Sequence, residues 1–227
     1  MPFFESLDDA ITTAIVLAVL LLVAFPVHEF SHALAAYRLG DGTARLFGRL
    51  TLNPLAHFDP FGALLLVVTM VQSGGNGGFG WAKPTPYTPQ NLRGGLWSEA
   101  IVAAAGPVSN LILAAIAAIP FRILLQAPID EPSFRMISIL HTFIAVNISL
   151  LVFNLIPIPP LDGSKVLFAF LAPATAFRVR PILEQYGFLI LLVALFLPIP
   201  PTGQVVIGIV FDVIGSPLYG LLTGLPV

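Results

Sequence analysis

This 227-residue chain has no cysteine, so it has no disulfide framework, thiolate metal site or thiol nucleophile, and any metal it holds must sit on histidine and carboxylate. Charge is scarce as well. Only 10% of the residues are Asp, Glu, Lys or Arg, and the formal net charge of -2 brings no basic patch, which sets nucleic-acid binding aside. Polar stretches long enough to build a soluble domain are also missing. What fills the chain is apolar: hydrophobic residues make up 57% of it and the mean hydropathy is +0.94, the composition of a polytopic helical membrane protein. Ahead of the first apolar run stand Glu5, Asp8 and Asp9, where a signal peptide would carry positive charge, so the N-terminus is expected to be retained.

Apolar segments long enough to cross a bilayer fall at residues 10–39, 98–125, 135–156, 183–197 and 205–222. An all-α polytopic fold with about five transmembrane helices follows. Residues 61–71 are apolar but about half as long as a span requires, which predicts a re-entrant or membrane-surface element. Residues 40–97 are rich in Gly, Pro and Asn, and the alternating run Ala44-Arg45-Leu46-Phe47-Gly48-Arg49-Leu50-Thr51-Leu52 predicts a small membrane-associated β-sheet. Residues 73–78 read as a flexible loop. With the N-terminus outside, eight of the ten basic residues are cytoplasmic, leaving Arg122 and Arg135 outside. The expected product is an integral membrane protein, N-terminus outside and C-terminus cytoplasmic.

One run of residues does not belong in such a segment without a reason. His28-Glu29-Phe30-Ser31-His32 places two imidazoles four residues apart on one helix face with a carboxylate beside them, the geometry of a catalytic zinc site. Ionisable groups in a bilayer-spanning helix persist where they pair, bind an ion or line a wet cavity. Counting back from Arg38 at about 1.5 Å per residue, the pair sits about 10 Å inside the cytoplasmic end of the first span. Such a zinc site needs a third protein ligand and an open position for water. Asp162 ends Asn154-Leu155-Ile156-Pro157-Ile158-Pro159-Pro160-Leu161-Asp162, where prolines break the third span and can turn a carboxylate back. Its alternative role is an ordinary N-cap of a helix over residues 163–171. His141, near the outer end of that span, is a weaker ligand candidate and reads better as a buried histidine bonded to a neighbouring helix. His57 lies in a loop on the right side of the membrane, where stabilising a turn is at least as good a reading.

These motifs carry a resemblance. His28-Glu29-Phe30-Ser31-His32, Ala105-Gly106-Pro107-Val108-Ser109-Asn110 and the run from Asn154 to Gly163 resemble, in order and membrane setting, the site-2 protease family of intramembrane zinc metalloproteases. Gly48-Arg49-Leu50-Thr51-Leu52-Asn53-Pro54 and Gly80-Trp81-Ala82-Lys83-Pro84 are similar to its compact prokaryotic members, and the match spans about residues 24–187. The resemblance implies one Zn2+ held by His28, His32 and Asp162, Glu29 as catalytic base, and Asn110 and Asn154 as groups that hold substrate or stabilise the transition state. It also implies transmembrane protein substrates, a prokaryotic cell membrane as the location, and regulated intramembrane proteolysis. Two departures stand out: no further span precedes the motif helix, and no PDZ or CBS module is attached. The chain then reads as a single domain, 1–227, with a catalytic core over about 10–172 and accessory helices over about 183–223.

Other functions fit parts of the pattern. A metal or proton transporter would use the same ligands as a transit site, but transit needs polar groups across the bilayer and these cluster near one side. A non-catalytic scaffold needs no Glu29. A diiron oxygenase needs more histidines than four. A substrate helix must unwind before attack, and strand addition to the edge at residues 45–52 is the expected way to hold it. The small residues Ala100, Ala103, Ala104, Ala105 and Gly106 read as helix-packing positions. Pro198-Ile199-Pro200-Pro201-Thr202-Gly203 reads as an outer turn, and Asp212 as a helix-to-helix hydrogen-bonding group or part of a proton path.

Overall fold

Pro26 interrupts the first membrane helix two residues before the histidine motif, and the backbone responds locally. The computed structural model describes residues 7–72, 78, 80–128 and 130–226. Helix α1 (Leu7–Val19) runs through a π turn (Leu20–Ala24) into α2 (Phe25–Arg38). Proline has no N–H and its ring crowds the carbonyl four residues back; here the Phe25 N–H reaches five residues back, to the Leu20 carbonyl, which widens the turn and lets the helix continue.

After α2 come the single turns α3 (Thr43–Leu46) and α4 (Pro54–His57), then α5 (Pro60–Gln72). The long helices follow: α6 (Leu96–Leu124), α7 (Glu131–Asn154), the short α8 (Asp162–Phe170) and α9 (Pro173–Phe196). The last span is α10 (Val206–Val210) and α11 (Ser216–Thr223) joined by a second π turn, again just before a proline, Pro217. Among the described residues, five stretches are long and apolar enough to cross a membrane: Ala14–Arg38, Leu96–Leu124, Glu131–Asn154, Pro173–Phe196 and Val206–Thr223. The five expected apolar segments are therefore helices of spanning length, and residues 61–71, expected as a re-entrant or membrane-surface element, lie in the shorter apolar helix α5.

Helix α6 is the axle. Half of its most apolar stretch is buried in the protein, against 17–28% for the other four spans. Its buried face carries Ala100, Ala103, Gly106, Ala114, Ala117 and Ala118, small residues that let α2, α7 and α8 approach closely where hydrophobic expulsion from water is not available to drive association. Below the site, Glu99 on α6 is 4% exposed and takes both Arg180 Nη2 (2.9 Å) and Nη1 (3.1 Å), a bidentate ion pair that ties α9 to α6. Tyr87 donates to the same carboxylate at 3.3 Å, and burial together with the Glu99 charge pushes its hydroxyl up, so it stays a donor.

Five expectations need correction. Gly224, just past α11, packs against Arg122 at the far end of α6, and Tyr219 meets His141, so the C-terminus lies at the end of the bundle expected to be outside and not at the opposite, cytoplasmic end. Residues 44–52 form no strand: α3 occupies their start, Gly48 closes it at φ +67°, and the Arg49 N–H returns to the Ala44 carbonyl at 2.8 Å. The small antiparallel sheet lies instead at β1 (Pro198–Ile199) and β2 (Gln204–Val205), so strand addition has no edge at residues 45–52. The fourth span begins at Pro173, ten residues before the apolar run, because Arg180 pairs with Glu99 and Glu184 and can be helical there. His141 is exposed and meets the Tyr219 ring edge to face at 5.5 Å, and exposed Asp212 accepts from Nε2 of Gln204, in β2, at 3.3 Å and not from another helix. The loop expected at 73–78 lies, apart from Gly78, outside the described residues.

Candidate metal centre

His28 and His32 sit one turn apart on α2, their rings 4.7 Å apart and nearly perpendicular, with the two Nε2 atoms 3.0 Å from each other. Facing them is Asp162, the first residue of α8. Its Oδ2 lies 3.3 Å from His28 Nε2 and 3.1 Å from His32 Nε2. One ligand atom from each residue falls within 4.8 Å of the others, and all three residues are buried. The carboxylate does not cap α8: the helix begins without a side-chain cap, and Asp162 spends its oxygens on the two imidazoles and on Lys165 Nζ at 3.5 Å.

The donor set fits zinc on its own terms. His32 Nδ1 lies 2.7 Å from the Val102 carbonyl and His28 Nδ1 lies 2.6 Å from Asn110 Oδ1. Both oxygens only accept, so each Nδ1 carries a hydrogen, and Nε2 is the nitrogen whose lone pair a metal would take. Two lone pairs and a carboxylate converging on one point repel one another unless a cation lies between them. Two imidazoles and one carboxylate are a catalytic zinc set that leaves a fourth position open. Space is reserved for it by Gly106 on α6, where a Cβ would collide with Nε2 of both histidines.

Glu29 lines the same cavity, of about 430 Å³, as His28, His32 and Asp162. Its Oε2 accepts the Thr85 N–H at 2.7 Å while the Thr85 hydroxyl donates to the Glu29 carbonyl at 2.9 Å, so the segment 80–88 holds the carboxylate at the cavity wall. That segment is anchored in turn by Lys83 N–H on the His57 carbonyl (2.8 Å) and Thr88 N–H on buried Asp41 (2.8 Å).

A model of peptidase family M50 matches residues 14–127 and 126–195. The chain belongs to peptidase family M50, the site-2 proteases. It is similar to a Bacillus subtilis protein named "Putative zinc metalloprotease YwhC", 38% identical over 191 residues that cover 81% of each chain. Two relatives named Rip2 in the same terms are 35% identical over 178 residues (Mycolicibacterium smegmatis) and 32% over 180 (Mycobacterium tuberculosis H37Rv), each match covering 78% of this chain and 65% of the relative. No solved structure matches significantly. As an M50 peptidase the chain is an integral membrane zinc metallopeptidase, and His28, His32 and Asp162 form its candidate zinc group.

The other sequence candidates separate. Asn154 lines the cavity, with its Nδ2 donating to the Leu150 carbonyl at 2.9 Å. Asn110 is fully buried behind His28 and does not line the cavity. His57 is buried with Nε2 donating to the Thr51 carbonyl at 2.8 Å, the turn-stabilising alternative. Sequence reasoning passed over Thr85, because its contribution to Glu29 includes a backbone N–H that leaves no residue signature. It read Gly106 as a packing position and part of a family motif, without its contact with the two histidines. It also missed Asn147, fully buried in the third span, although a polar residue inside a membrane helix is itself a signal.

Proposed function

We propose that this peptidase cuts peptide bonds in or near the transmembrane segments of membrane proteins, with zinc on His28, His32 and Asp162 and Glu29 as general base. The observation that carries this reading is the convergence of the three ligand atoms within 4.8 Å on a cavity wall shared with Glu29, between helices long enough to span a bilayer. Zinc bound there would lower the pKa of water toward neutrality and polarise a peptide carbonyl. Glu29 takes the proton of the attacking water and delivers it to the departing amine. Asn154, with one amide hydrogen on the Leu150 carbonyl, has a second to offer the carbonyl oxygen of the substrate. Asn110 serves a different end, holding His28. The substrate helix must unwind locally, since every amide in an intact helix is already paired. The basic-residue pattern supports an N-terminus outside, which puts the cavity near the cytoplasmic side.

The test is Glu29→Gln in purified protein reconstituted with a helical transmembrane substrate. Cleavage is expected to fall by about 10²–10⁴-fold, the range of a lost general base, while elemental analysis finds the wild-type zinc content. Cleavage at the wild-type rate would remove Glu29 from the chemistry. Zinc flux across proteoliposomes that survives the substitution would favour a transporter.

A further inference from the structure

A hydrogen-bond relay built on two fully buried asparagines runs from helix α7 to Nδ1 of His28, the ring nitrogen opposite the one that faces the metal position. Asn147 Nδ2 donates to the Phe143 carbonyl at 2.8 Å, Asn110 Nδ2 donates to Asn147 Oδ1 at 2.9 Å, and Asn110 Oδ1 faces His28 Nδ1 at 2.6 Å. Asn110 and Asn147 are both 0% exposed, so water does not compete for either amide. We infer that Asn147 is a positioning residue for zinc: through Asn110 it fixes the tautomer of His28 that can bind the metal. This rests on the assignment of His28 as a ligand.

Direction enters the relay at one place. The Phe143 carbonyl only accepts, so Asn147 must turn its NH2 toward it and its oxygen toward Asn110. Asn110 must then turn its own NH2 to Asn147 and its oxygen to His28. His28 Nδ1 therefore carries the hydrogen and Nε2 is left with the lone pair. Rotating the Asn110 amide by half a turn would present NH2 to Nδ1, move the ring hydrogen to Nε2 and aim an N–H at the metal position, which switches the ligand off. His32 has no such ambiguity, because its Nδ1 meets the Val102 carbonyl directly. An asparagine is ambivalent where a carbonyl is not, and Asn147 is what removes the ambivalence. Asn110 is the partner one step behind the proposed ligand, and losing such a partner changes metal affinity by about 10–100-fold; Asn147, a step further back, acts through it, so that range is the upper bound of its effect.

The experiment uses the full chain, purified in detergent, stripped of metal and titrated with Co2+ and Zn2+ against a chelator. The visible absorption of Co2+ reports the ligand set, and the thermal midpoint of the metal-free protein reports folding. Asn147→Leu is expected to weaken both metals measurably, by up to about 10–100-fold, and to shift the Co2+ spectrum, with the metal-free protein still folded. Adding Asn110→Asp to Asn147→Leu is expected to restore affinity and spectrum, because an ionised carboxylate at 110 can only accept and holds His28 Nδ1–H without help from Asn147. A lesion of packing alone would not be rescued in this way. Asn147→Ala takes the same part should the leucine prevent folding. Unchanged affinity and spectrum in Asn147→Leu, or no rescue in the double variant, overturns the inference. His28→Ala separates that failure from a wrong site: if it too leaves metal binding intact, the ligand assignment itself has failed.

Discussion

Two proline corners of this chain are near copies in sequence and do different work. Ile158-Pro159-Pro160-Leu161-Asp162-Gly163 joins α7 to α8, and Ile199-Pro200-Pro201-Thr202-Gly203 joins β1 to β2. In the first, Pro159 and Leu161 are buried, Ile156, Leu161, Leu191, Ala194 and Ile207 form one cluster, and Gly187 of α9 lies directly against Pro159. The second is exposed throughout and closes on itself by a Gly203 N–H to Ile199 carbonyl bond at 3.0 Å. Even their glycines serve different needs. A Cβ at Gly163 would collide with the Leu155 carbonyl, so that position needs space, whereas Gly203 has open surroundings and φ +70°, so it needs backbone freedom. The local chemistry of prolines makes a corner in both places. Packing against α9 makes one of them aim a carboxylate at two imidazoles.

The comparison breaks hardest at the residue that differs. Asp162→Ala removes one of the three proposed ligands, and zinc per chain by elemental analysis is expected to fall from one to near none, with cleavage lost. Thr202→Ala at the matching place should leave both unchanged. An unchanged metal content in Asp162→Ala would move the third ligand elsewhere and dissolve the contrast.

Gly163→Ala is the next step down. The added methyl meets backbone, which cannot rotate away, so the start of α8 must shift; overpacking of this kind costs about 1–3 kcal/mol. A lower thermal midpoint and weakened zinc binding are expected together, because the displaced residue is the neighbour of the ligand. A lower midpoint with wild-type zinc affinity would show that the corner adjusts without moving Asp162.

How much of this was legible depends on whether a feature is local. The histidine pair is written in the sequence, since helical rise alone puts positions four apart on one face, and Asp162 was legible because proline breaks the span where a carboxylate is needed. The alternating run 44–52 misled, because a single helical turn closed by Gly48 and a short strand look alike over so few residues. The start of α9 was hidden because Arg178, Pro181 and Arg180 interrupt its apolar run, and only the distant Glu99 explains why Arg180 is tolerated. The role of Asn110 depends on what lies behind His28, and that is set by the packing of α6 against α7, which no local pattern encodes.

The smallest effect is expected at the exposed corner. Gly203→Ala forces a side chain into a left-handed conformation, at a cost of about 1–2 kcal/mol, with no packing to disturb. Its thermal midpoint should fall by a few degrees, on the scale expected for about 1 kcal/mol in a chain of this size. Zinc content and cleavage should match the wild type, since β1 and β2 touch none of the ligands. The informative quantity is the ratio: Gly163→Ala should lose metal affinity out of proportion to its stability, Gly203→Ala should lose stability alone. If both variants lose metal in step with stability, the two corners are coupled through α9 and α10, and the first corner's hold on Asp162 is a property of the whole helical bundle.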